Sequence, residues 1–299
     1  MEGRAGARQP RGAGAADQRP AVAGRRVDGV RVHAAGSPES HRRGRFLGHL
    51  PLSTYREHAV ILRKLDYGEA DRIFTLLTST HGKVGAIAKG VRRPESKLGP
   101  SLELYGHVDV LLAKGRGELD VLAQAQRLPG ARIAGEVERM SHAAVIAELA
   151  ERVCEDRHPV DGVYELTVTA LDELARETDP RRASAYFLMQ ALDLLGYAPQ
   201  LSVCASCEQQ LPAKPAAFSP AAGGFLCDRD APVGAPLVPV AAIKVLRLIA
   251  SGDLQTYRRL KLEPALMDDV EHVLTTQLEH HLDRRLKSLQ FLHDMRAHS

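Results

Sequence analysis

The sequence predicts an α+β protein of several domains, in which an N-terminal five-stranded barrel precedes an α-helical domain with a small cysteine-rich insertion. Three observations predict this arrangement. Five short β-like segments rich in Val, Ile and Leu lie close together within residues 53–130. The hydrophobic period becomes helical from about residue 134. Three of the four cysteines cluster in a stretch rich in Pro and Gly, within residues 200–238.

Residues 1–52 precede the barrel and consist mainly of Gly, Ala, Arg and Pro, with 10 Arg against 4 acidic residues. A segment so poor in apolar side chains buries too little surface to offset the entropy of ordering it, which predicts disorder. Two interpretations remain open. In one, the segment is a basic arm that touches nucleic acid. In the other, which is favoured, the start codon has been placed too early and the true start lies near residue 50.

The five β-like segments form the predicted barrel domain, residues 53–130, and turn residues separate them. They span residues 59–65, 72–79, 84–90, 104–113 and 119–128. Tight turns are expected at 80–83 and 114–117, and the longer connection 91–103 has room for a short helix. Five strands with a longer connection after the third are typical of an OB-fold barrel, although SH3-like barrels also have five strands.

The helical domain is predicted over residues 131–299. Apolar residues recur at helical spacing in two segments near 140–154 and 166–174, and a third helix over 181–195 is expected to stop at Gly196. Residues 200–238 are read as an insertion with its own organisation. Helices are predicted to resume over 240–251 and again over 264–295.

Composition excludes several classes of protein. No run approaches the ~18 apolar residues of a membrane-spanning helix, and the N-terminus has no apolar core of a secretory signal. We therefore expect a cytoplasmic protein with no membrane partner. Residues 53–130 carry 12 basic and 9 acidic side chains, whereas residues 131–299 carry 18 and 24. A basic front half and an acidic back half indicate a polyanionic partner for the front half.

Several stretches occur in a distinctive order along residues 55–292. They are Ala-Val-Ile-Leu-Arg at 59–63, Gly-Glu-Ala-Asp-Arg-Ile at 68–73, Leu-Leu-Thr at 76–78, His-Gly-Lys at 81–83, Ala-Lys-Gly-Val-Arg-Arg-Pro at 88–94 with Ser-Lys at 96–97, Leu-Gly-Tyr-Ala-Pro at 195–199 before Cys-Ala-Ser-Cys at 204–207, and Leu-Lys-Ser-Leu-Gln-Phe-Leu at 286–292. Taken together, these stretches resemble the RecO family of DNA-repair proteins, and the specificity of the resemblance comes from their combination.

The resemblance implies an OB-fold with a helical domain that binds single- and double-stranded DNA and anneals complementary strands. It also implies partnership with RecR, and in some species RecF, in loading RecA onto DNA coated by single-stranded DNA-binding protein. A groove in the helical domain would accept the acidic C-terminal tail of that coating protein, with Arg181 and Arg182 as candidate flanking residues. The family acts near the bacterial nucleoid and is not enzymatic.

A set of basic residues in the barrel loops forms the candidate DNA-binding site, because OB-folds commonly hold nucleic acid near these loops. The alternative is an ordinary solvated face. The candidates are Lys83, Lys89, Arg92, Arg93, Lys97, Lys114 and Arg116. The barrel segment offers few aromatic side chains for stacking, and Phe74 is expected in the core. Binding should therefore be mostly electrostatic and nearly independent of base sequence.

Cys204 and Cys207, then Cys227 and Asp230, form two paired ligand positions separated by a loop, which is the spacing of a structural zinc knuckle. Many RecO relatives have Cys at the fourth position. The Asp in this chain leaves two possibilities: one structural Zn²⁺ held by three thiolates and a carboxylate, or a knuckle that has lost its metal.

Two functions from other classes remain as alternatives. One is a metal-dependent DNA-processing enzyme that uses Asp66, Glu69 and Asp71, although acidic residues around a turn more often serve capping and solvation. The other is an RNA-binding OB-fold protein. The sequence has no His-Glu-x-x-His motif and no nucleophile elbow, so a protein without catalytic chemistry is favoured.

Overall fold

A computed structural model describes most of the chain after residue 52. The segment predicted to be disordered, residues 1–52, lies outside the described residues, and so does the candidate Arg116. The described ranges are 53–115, 117–130, 132–133, 135–282 and 284–297.

Five strands close into a barrel in the order β1-β2-β3-β5-β4. Only β3 and β5 pair in parallel, with Ala86 opposite Asp120, and the other neighbours are antiparallel. A short 3-10 turn at Gly99–Ser101 lies in the long connection before β4. The predicted OB-type barrel is therefore confirmed. The strands are β1 (Thr54–Tyr67), β2 (Asp71–Thr78), β3 (Gly82–Ala88), β4 (His107–Ala113) and β5 (Asp120–Arg127).

β1 is the longest strand, at 14 residues, and it serves two cores. Ala59 and Ile61 point into the barrel, which also buries Phe74 completely, as predicted. Val60 and Leu62 point outward and are buried in the core of the helical domain. The pairing of β1 with β2 shifts register between Ile61 and Arg63, and a bulge of this kind re-aims the side chains that follow it.

In the described residues, seven α-helices follow the barrel, and all seven lie beyond residue 136. The third is buried on nearly every side, and it ends just before Gly196, whose φ of +78° provides the predicted C-terminal stop. None of the described helices is long and apolar enough to cross a membrane. The helices are α1 (Val137–Val153), α2 (Val163–Arg176), α3 (Pro180–Leu194), α4 (Val240–Ala250), α5 (Leu254–Arg259), α6 (Pro264–His281) and α7 (Lys287–Ala297).

The helical region predicted over 264–295 consists of two helices, because the chain breaks between α6 and α7. Leu282 adopts extended backbone angles, φ −92° and ψ 131°, at the end of α6. Glu148 of α1 then accepts hydrogen bonds from the backbone N–H groups of Lys287 (3.0 Å) and Ser288 (2.9 Å). A carboxylate that holds these two donors starts a new helix at that point. The short helix α5 was also not predicted.

The cysteine-rich insertion contains a three-stranded sheet in the order β7-β6-β8. Its strands are β6 (Ala216–Ser219), β7 (Gly224–Leu226) and β8 (Leu237–Val238). The backbone N–H of Ala205 donates to the carbonyl of Phe225 over 2.8 Å. This bond ties the first pair of cysteines to the strand that precedes the third.

Candidate nucleic-acid interface and candidate metal centre

The loop that follows β3 carries four of the candidate cations and is held against the β1–β2 turn. The backbone N–H of Gly90 donates to Asp71 Oδ1 (2.8 Å), and that of Arg92 donates to the carbonyl of Ala70 (2.9 Å). The Arg93 N–H closes a tight turn onto the Gly90 carbonyl at 3.1 Å. These bonds order the backbone, so the cations stand on a fixed loop. We call residues 89–97 the basic loop.

All four cations of the basic loop are exposed. Arg92 Nε lies 3.5 Å from Asp66 Oδ2, and its guanidinium also donates to the carbonyl of Gly68. Among the residues that the structure describes, Lys89, Arg93 and Lys97 have no acidic partner. Three cations of the loop therefore face solvent without a paired carboxylate, Asp66 offsets the fourth, and Glu95 is the one acidic residue within the loop.

The remaining predicted cations lie in different settings. Lys83 bridges to the helical domain, with its Nζ 3.2 Å from Asp156 Oδ1 and 3.4 Å from the carbonyl of Glu151. Lys114 is exposed in the β4–β5 turn, and its backbone N–H donates to the Ser53 carbonyl. The structure thus groups the basic loop, ties up Lys83 and places Lys114 on a separate turn.

Asp120 anchors the β4–β5 turn, and no pattern in the sequence distinguishes it from other acidic residues. Its buried carboxylate accepts hydrogen bonds from Gly115 N (3.2 Å), from Arg157 Nη2 (2.9 Å) and from the Tyr55 hydroxyl. Burial acts to raise the pKa of Asp120, but these hydrogen bonds outweigh it and hold the pKa below its ordinary value. Arg157 belongs to the α1–α2 connection, so the carboxylate joins the barrel to the helical domain.

The aromatic side chains of the barrel are not equivalent. Phe74 is buried, Tyr55 donates to Asp120, and burial raises the pKa of the half-buried Tyr105. Tyr67, at the tip of the β1–β2 hairpin, is 56% exposed. Exposed rings are the ones available for stacking on bases. Sequence alone could not show that Tyr67 is the exposed ring, because its exposure depends on the point along β1 beyond which β4 no longer pairs with it.

The acidic trio of the nuclease alternative does not converge on one point. Asp66 pairs with Arg72, whose Nε lies 2.7 Å away, and the Arg72 hydrogen bond holds the pKa of Asp66 below its ordinary value. Asp71 is occupied by the Gly90 N–H. Within the described ranges, the one group of His, Cys, Asp or Glu ligands close enough together to hold a metal is the cysteine cluster.

That cluster comprises the four predicted ligands, whose ligand atoms all lie within 4.8 Å of one another. Cys207 Sγ and Cys227 Sγ are 3.7 Å apart, and Asp230 Oδ2 lies 3.2 Å from Cys204 Sγ and 3.4 Å from Cys227 Sγ. A tetrahedral zinc ion with Zn–S bonds of ~2.3 Å would separate its thiolates by about 3.8 Å. The four residues therefore fit a metal of this kind.

Asp230 is oriented for the role of fourth ligand. Its Oδ1 accepts from Arg229 Nε at 3.1 Å, which leaves Oδ2 facing the thiols. Hydrogen bonds from the thiols and from Arg229 hold the pKa of Asp230 well below its usual range. The bond to Asp230 raises the pKa of Cys207 to about 11, so a bound metal would have to displace that proton.

The two arginines suggested as flanks of a partner groove have internal partners. Arg181 Nη2 lies 2.6 Å from Asp268 Oδ1 and 2.8 Å from Glu271 Oε2. Arg182 is buried and donates to the carbonyls of Tyr257 and Leu260. Both side chains tie α3 to the helices packed against it, so neither is free to flank a groove in this structure.

These features define a class of protein: an OB-fold barrel with an exposed basic loop, joined to a helical domain whose insertion contains a cluster of four potential metal ligands. Residues 52–129 match the family model described as "Recombination protein O N terminal", and residues 135–290 match "Recombination protein O C terminal". The chain belongs to the RecO family.

Two relatives illustrate the match. The proteins called "DNA repair protein RecO" from Bifidobacterium longum strains DJO10A and NCC 2705 are each 35% identical to this chain over 245 residues. The aligned region covers 81% of this chain and 99% of each relative.

Proposed function

We propose that this chain is a recombination mediator that binds single- and double-stranded DNA, anneals complementary strands and performs no bond-breaking chemistry. It belongs to a family of DNA-repair proteins. The observation that carries the proposal is the basic loop, an ordered backbone that presents Lys89, Arg93 and Lys97 without acidic partners in the described structure. Cations that meet phosphates release condensed counterions, which favours binding to any DNA sequence.

The test of DNA binding is the double variant Arg92→Glu, Arg93→Glu in the full chain. Each lost contact should reduce affinity for a single strand roughly 5-fold at about 0.1 M salt, so the loss of two contacts should reduce it roughly 25-fold. The slope of log affinity against log salt concentration, called the salt slope below, should become flatter by about 1.4. The matched control is Lys244→Glu, Lys261→Glu, which makes the same charge change on exposed residues of the helical domain. Equal affinities of the two variants would contradict this interface.

The mediator role needs its own assay. We propose that the protein acts in the bacterial cytoplasm with RecR, and in some species RecF, to load RecA onto DNA coated by single-stranded DNA-binding protein, whose C-terminal tail it contacts. Annealing of complementary coated strands, with no loss of labelled DNA in the presence of magnesium, is expected. Strand loss would support the DNA-processing enzyme instead, and a strong preference for RNA in the same salt would support the RNA-binding alternative.

We further propose that the cysteine cluster holds one structural Zn²⁺. Zinc would supply four bonds that knit the insertion, a segment with little core of its own. Arg229 would orient the Asp230 carboxylate, and the three cysteines would bind as thiolates. Protein purified without chelator should contain about one zinc per chain, and Cys227→Ser should lose it. Folded wild-type protein without zinc would contradict the proposal.

A further inference from the structure

A cleft of about 1080 Å³ separates the barrel from the C-terminal helices. Leu62 and Tyr105 of the barrel line one wall, and α1 with the segment before α7 lines the other. Six of its lining residues are basic and two, Glu148 and Glu151, are acidic. The basic residues are Arg63, Lys83, Arg152, Arg284, Arg285 and Lys287.

The two acidic residues of the cleft are already occupied. Glu148 accepts from the backbone at the start of α7 and pairs with Arg152 at 2.9 Å. Glu151 pairs with Arg63 at 3.1 Å. Neither Arg284 nor Lys287 has an acidic partner among the described residues, and both are exposed. Lys83 pairs with Asp156 (3.2 Å) and Arg285 with Glu279 (3.4 Å), so the positive charge that the described residues leave unpaired in the cleft is that of Arg284 and Lys287.

This charge is held in position by the fold. Arg152 donates through its guanidinium to the backbone carbonyls of Arg284 (2.5 Å) and Arg285 (2.9 Å). It thereby holds Arg284 and Arg285 at the edge of the cleft. Gathering like charges on a fixed surface is unfavourable unless an anion binds there, so the arrangement indicates a ligand of opposite charge.

The shape and the surroundings favour an extended polymer. Pockets for small molecules have roughly 300–1,000 Å³ and few charged groups, whereas this cleft, at about 1080 Å³, lies at the upper end of that range and carries six basic side chains. The bulge between Ile61 and Arg63 reverses the facing of the residues that follow it, so Arg63, Leu65 and Tyr67 share the outer face of β1. Leu65 is 63% exposed and Tyr67 56% exposed. This face leads from the cleft to the hairpin tip, where the basic loop is attached.

We propose that this cleft is a second phosphate-binding site, which continues the path of a single DNA strand from the basic loop, along the outer face of β1, into the groove between the two domains. The inference rests on the proposed DNA-binding function and assigns it a longer path. Tyr67 would stack on a base midway, and Arg284 and Lys287 would hold phosphates beyond the site of a single OB barrel.

The test compares oligo(dT) of two lengths, about 6 and about 30 nucleotides, because one OB barrel covers roughly 4–16 nucleotides. The variant Arg284→Glu, Lys287→Glu should bind the long strand roughly 25-fold more weakly at about 0.1 M salt, with a salt slope flatter by about 1.4. Its affinity for the short strand should stay at the wild-type value. Lys244→Glu, Lys261→Glu is the charge-matched control.

The outcomes separate the two proposals. Both proposals are supported if the Arg92→Glu, Arg93→Glu variant binds both strand lengths more weakly and the cleft variant binds only the long strand more weakly. Unchanged long-strand affinity in the cleft variant overturns the second site, while the proposal for the basic loop stands. Binding of poly-glutamate that depends on Arg284 and Lys287 would also overturn it and would assign the cleft to an acidic protein. Wild-type protein that binds neither strand would overturn the proposed function itself.

Neutral substitutions guard against misfolding. Arg284→Gln, Lys287→Gln alters only exposed side chains, and its circular dichroism and thermal midpoint should match the wild type. It should still lose a smaller part of the long-strand affinity in the same assay. A folded neutral variant with wild-type long-strand affinity and salt slope would overturn the second site.

Discussion

Gly82 occupies the β2–β3 turn at a position where the backbone of the helical domain comes close. Its φ is +63°, and a Cβ built on it would lie 2.4 Å from the carbonyl oxygen of His158. Gly68, in the β1–β2 turn, has a similar φ of +59° but nothing within 4 Å of such a Cβ. A side chain added at either position would therefore meet comparable backbone strain, and at Gly82 it would also clash with His158.

Gly82→Ala is expected to destabilise the protein more than Gly68→Ala. The left-handed backbone should cost each variant about 1–2 kcal/mol, and Gly82→Ala should lose further stability as His158 is displaced. Urea denaturation of both variants measures the difference. Equal losses would mean that the turn can move away from the helical domain without penalty.

Glu57 is a buried carboxylate that ties the β2–β3 turn to β1. It accepts hydrogen bonds from Ser79 Oγ (2.9 Å), Thr80 N (3.1 Å) and the Thr80 hydroxyl, and it pairs with His81 Nδ1 at 2.7 Å. Burial acts to raise the pKa of Glu57, but these bonds outweigh it and hold the pKa below the ordinary 4.5. The ionised form is thus the one that the folded turn stabilises.

Glu57→Gln should lower the free energy of unfolding at neutral pH by about 1–3 kcal/mol, because an amide NH₂ would face hydrogen-bond donors. A lowered folded-state pKa contributes stability above the unfolded value and loses it as pH falls. The difference between wild type and variant should therefore shrink below pH 4.5. Denaturation curves across that range provide the check, with exposed Glu69→Gln as the control. A difference that stays constant with pH would argue against an ionised Glu57.

At the scale of elements, α7 depends on a carboxylate from a distant helix. Glu148 of α1 caps its first turn through the N–H groups of Lys287 and Ser288 and through the Ser288 hydroxyl at 2.7 Å. At the other end, Arg296 pairs with Glu271 of α6 at 2.7 Å. Side chains from α1 and α6 therefore hold the two ends of the last helix.

Glu148→Gln should loosen α7 without unfolding the rest of the chain. Loss of a charged cap costs about 0.5–2 kcal/mol, so amide hydrogen exchange over residues 287–297 should speed up by roughly 10-fold. Exchange in α3 should not change. Glu155→Gln, an exposed residue just beyond α1, serves as the control. Unaltered exchange in α7 would show that packing alone holds the helix.

For the whole molecule, strands of the barrel contribute to two hydrophobic cores, that of the barrel and that of the helical domain. Val60 and Leu62 of β1 and Leu77 of β2 are buried in the helical cluster, while alternate residues of the same strands fill the barrel. β1 packs against both α1 and α2. The two parts are therefore expected to unfold together.

Leu62→Ala tests this coupling, with Leu65→Ala on the same strand as the matched control. Leu62 is 2% exposed and should cost about 2–5 kcal/mol when truncated. Leu65 is 63% exposed and should change stability by no more than about 0.5 kcal/mol. Thermal unfolding followed by circular dichroism, at one wavelength that reports strands and one that reports helices, measures both the loss of stability and whether the two parts unfold together. A similar small loss in both variants would indicate two independent cores.

Local patterns in the sequence were enough to predict much of this protein. Segments rich in Val, Ile and Leu, with turn residues between them, predicted five strands, because both signals depend on neighbouring residues. Gly196 predicted the end of α3, since a residue that readily adopts positive φ favours a helix stop. The spacing of Cys204, Cys207, Cys227 and Asp230 predicted a cluster that the structure does bring together.

Contacts between distant residues decided the rest. The break between α6 and α7 depends on Glu148, 140 residues before Ser288, and no periodicity within 264–295 reveals that cap. The pairing of Lys83 with Asp156 and the burial of Arg182 likewise depend on which elements pack together. The amino-acid sequence determined the elements and the ligand spacing through short-range geometry. Tertiary structure alone decided which cations stay unpaired, because a charge is neutralised by whatever the fold places beside it.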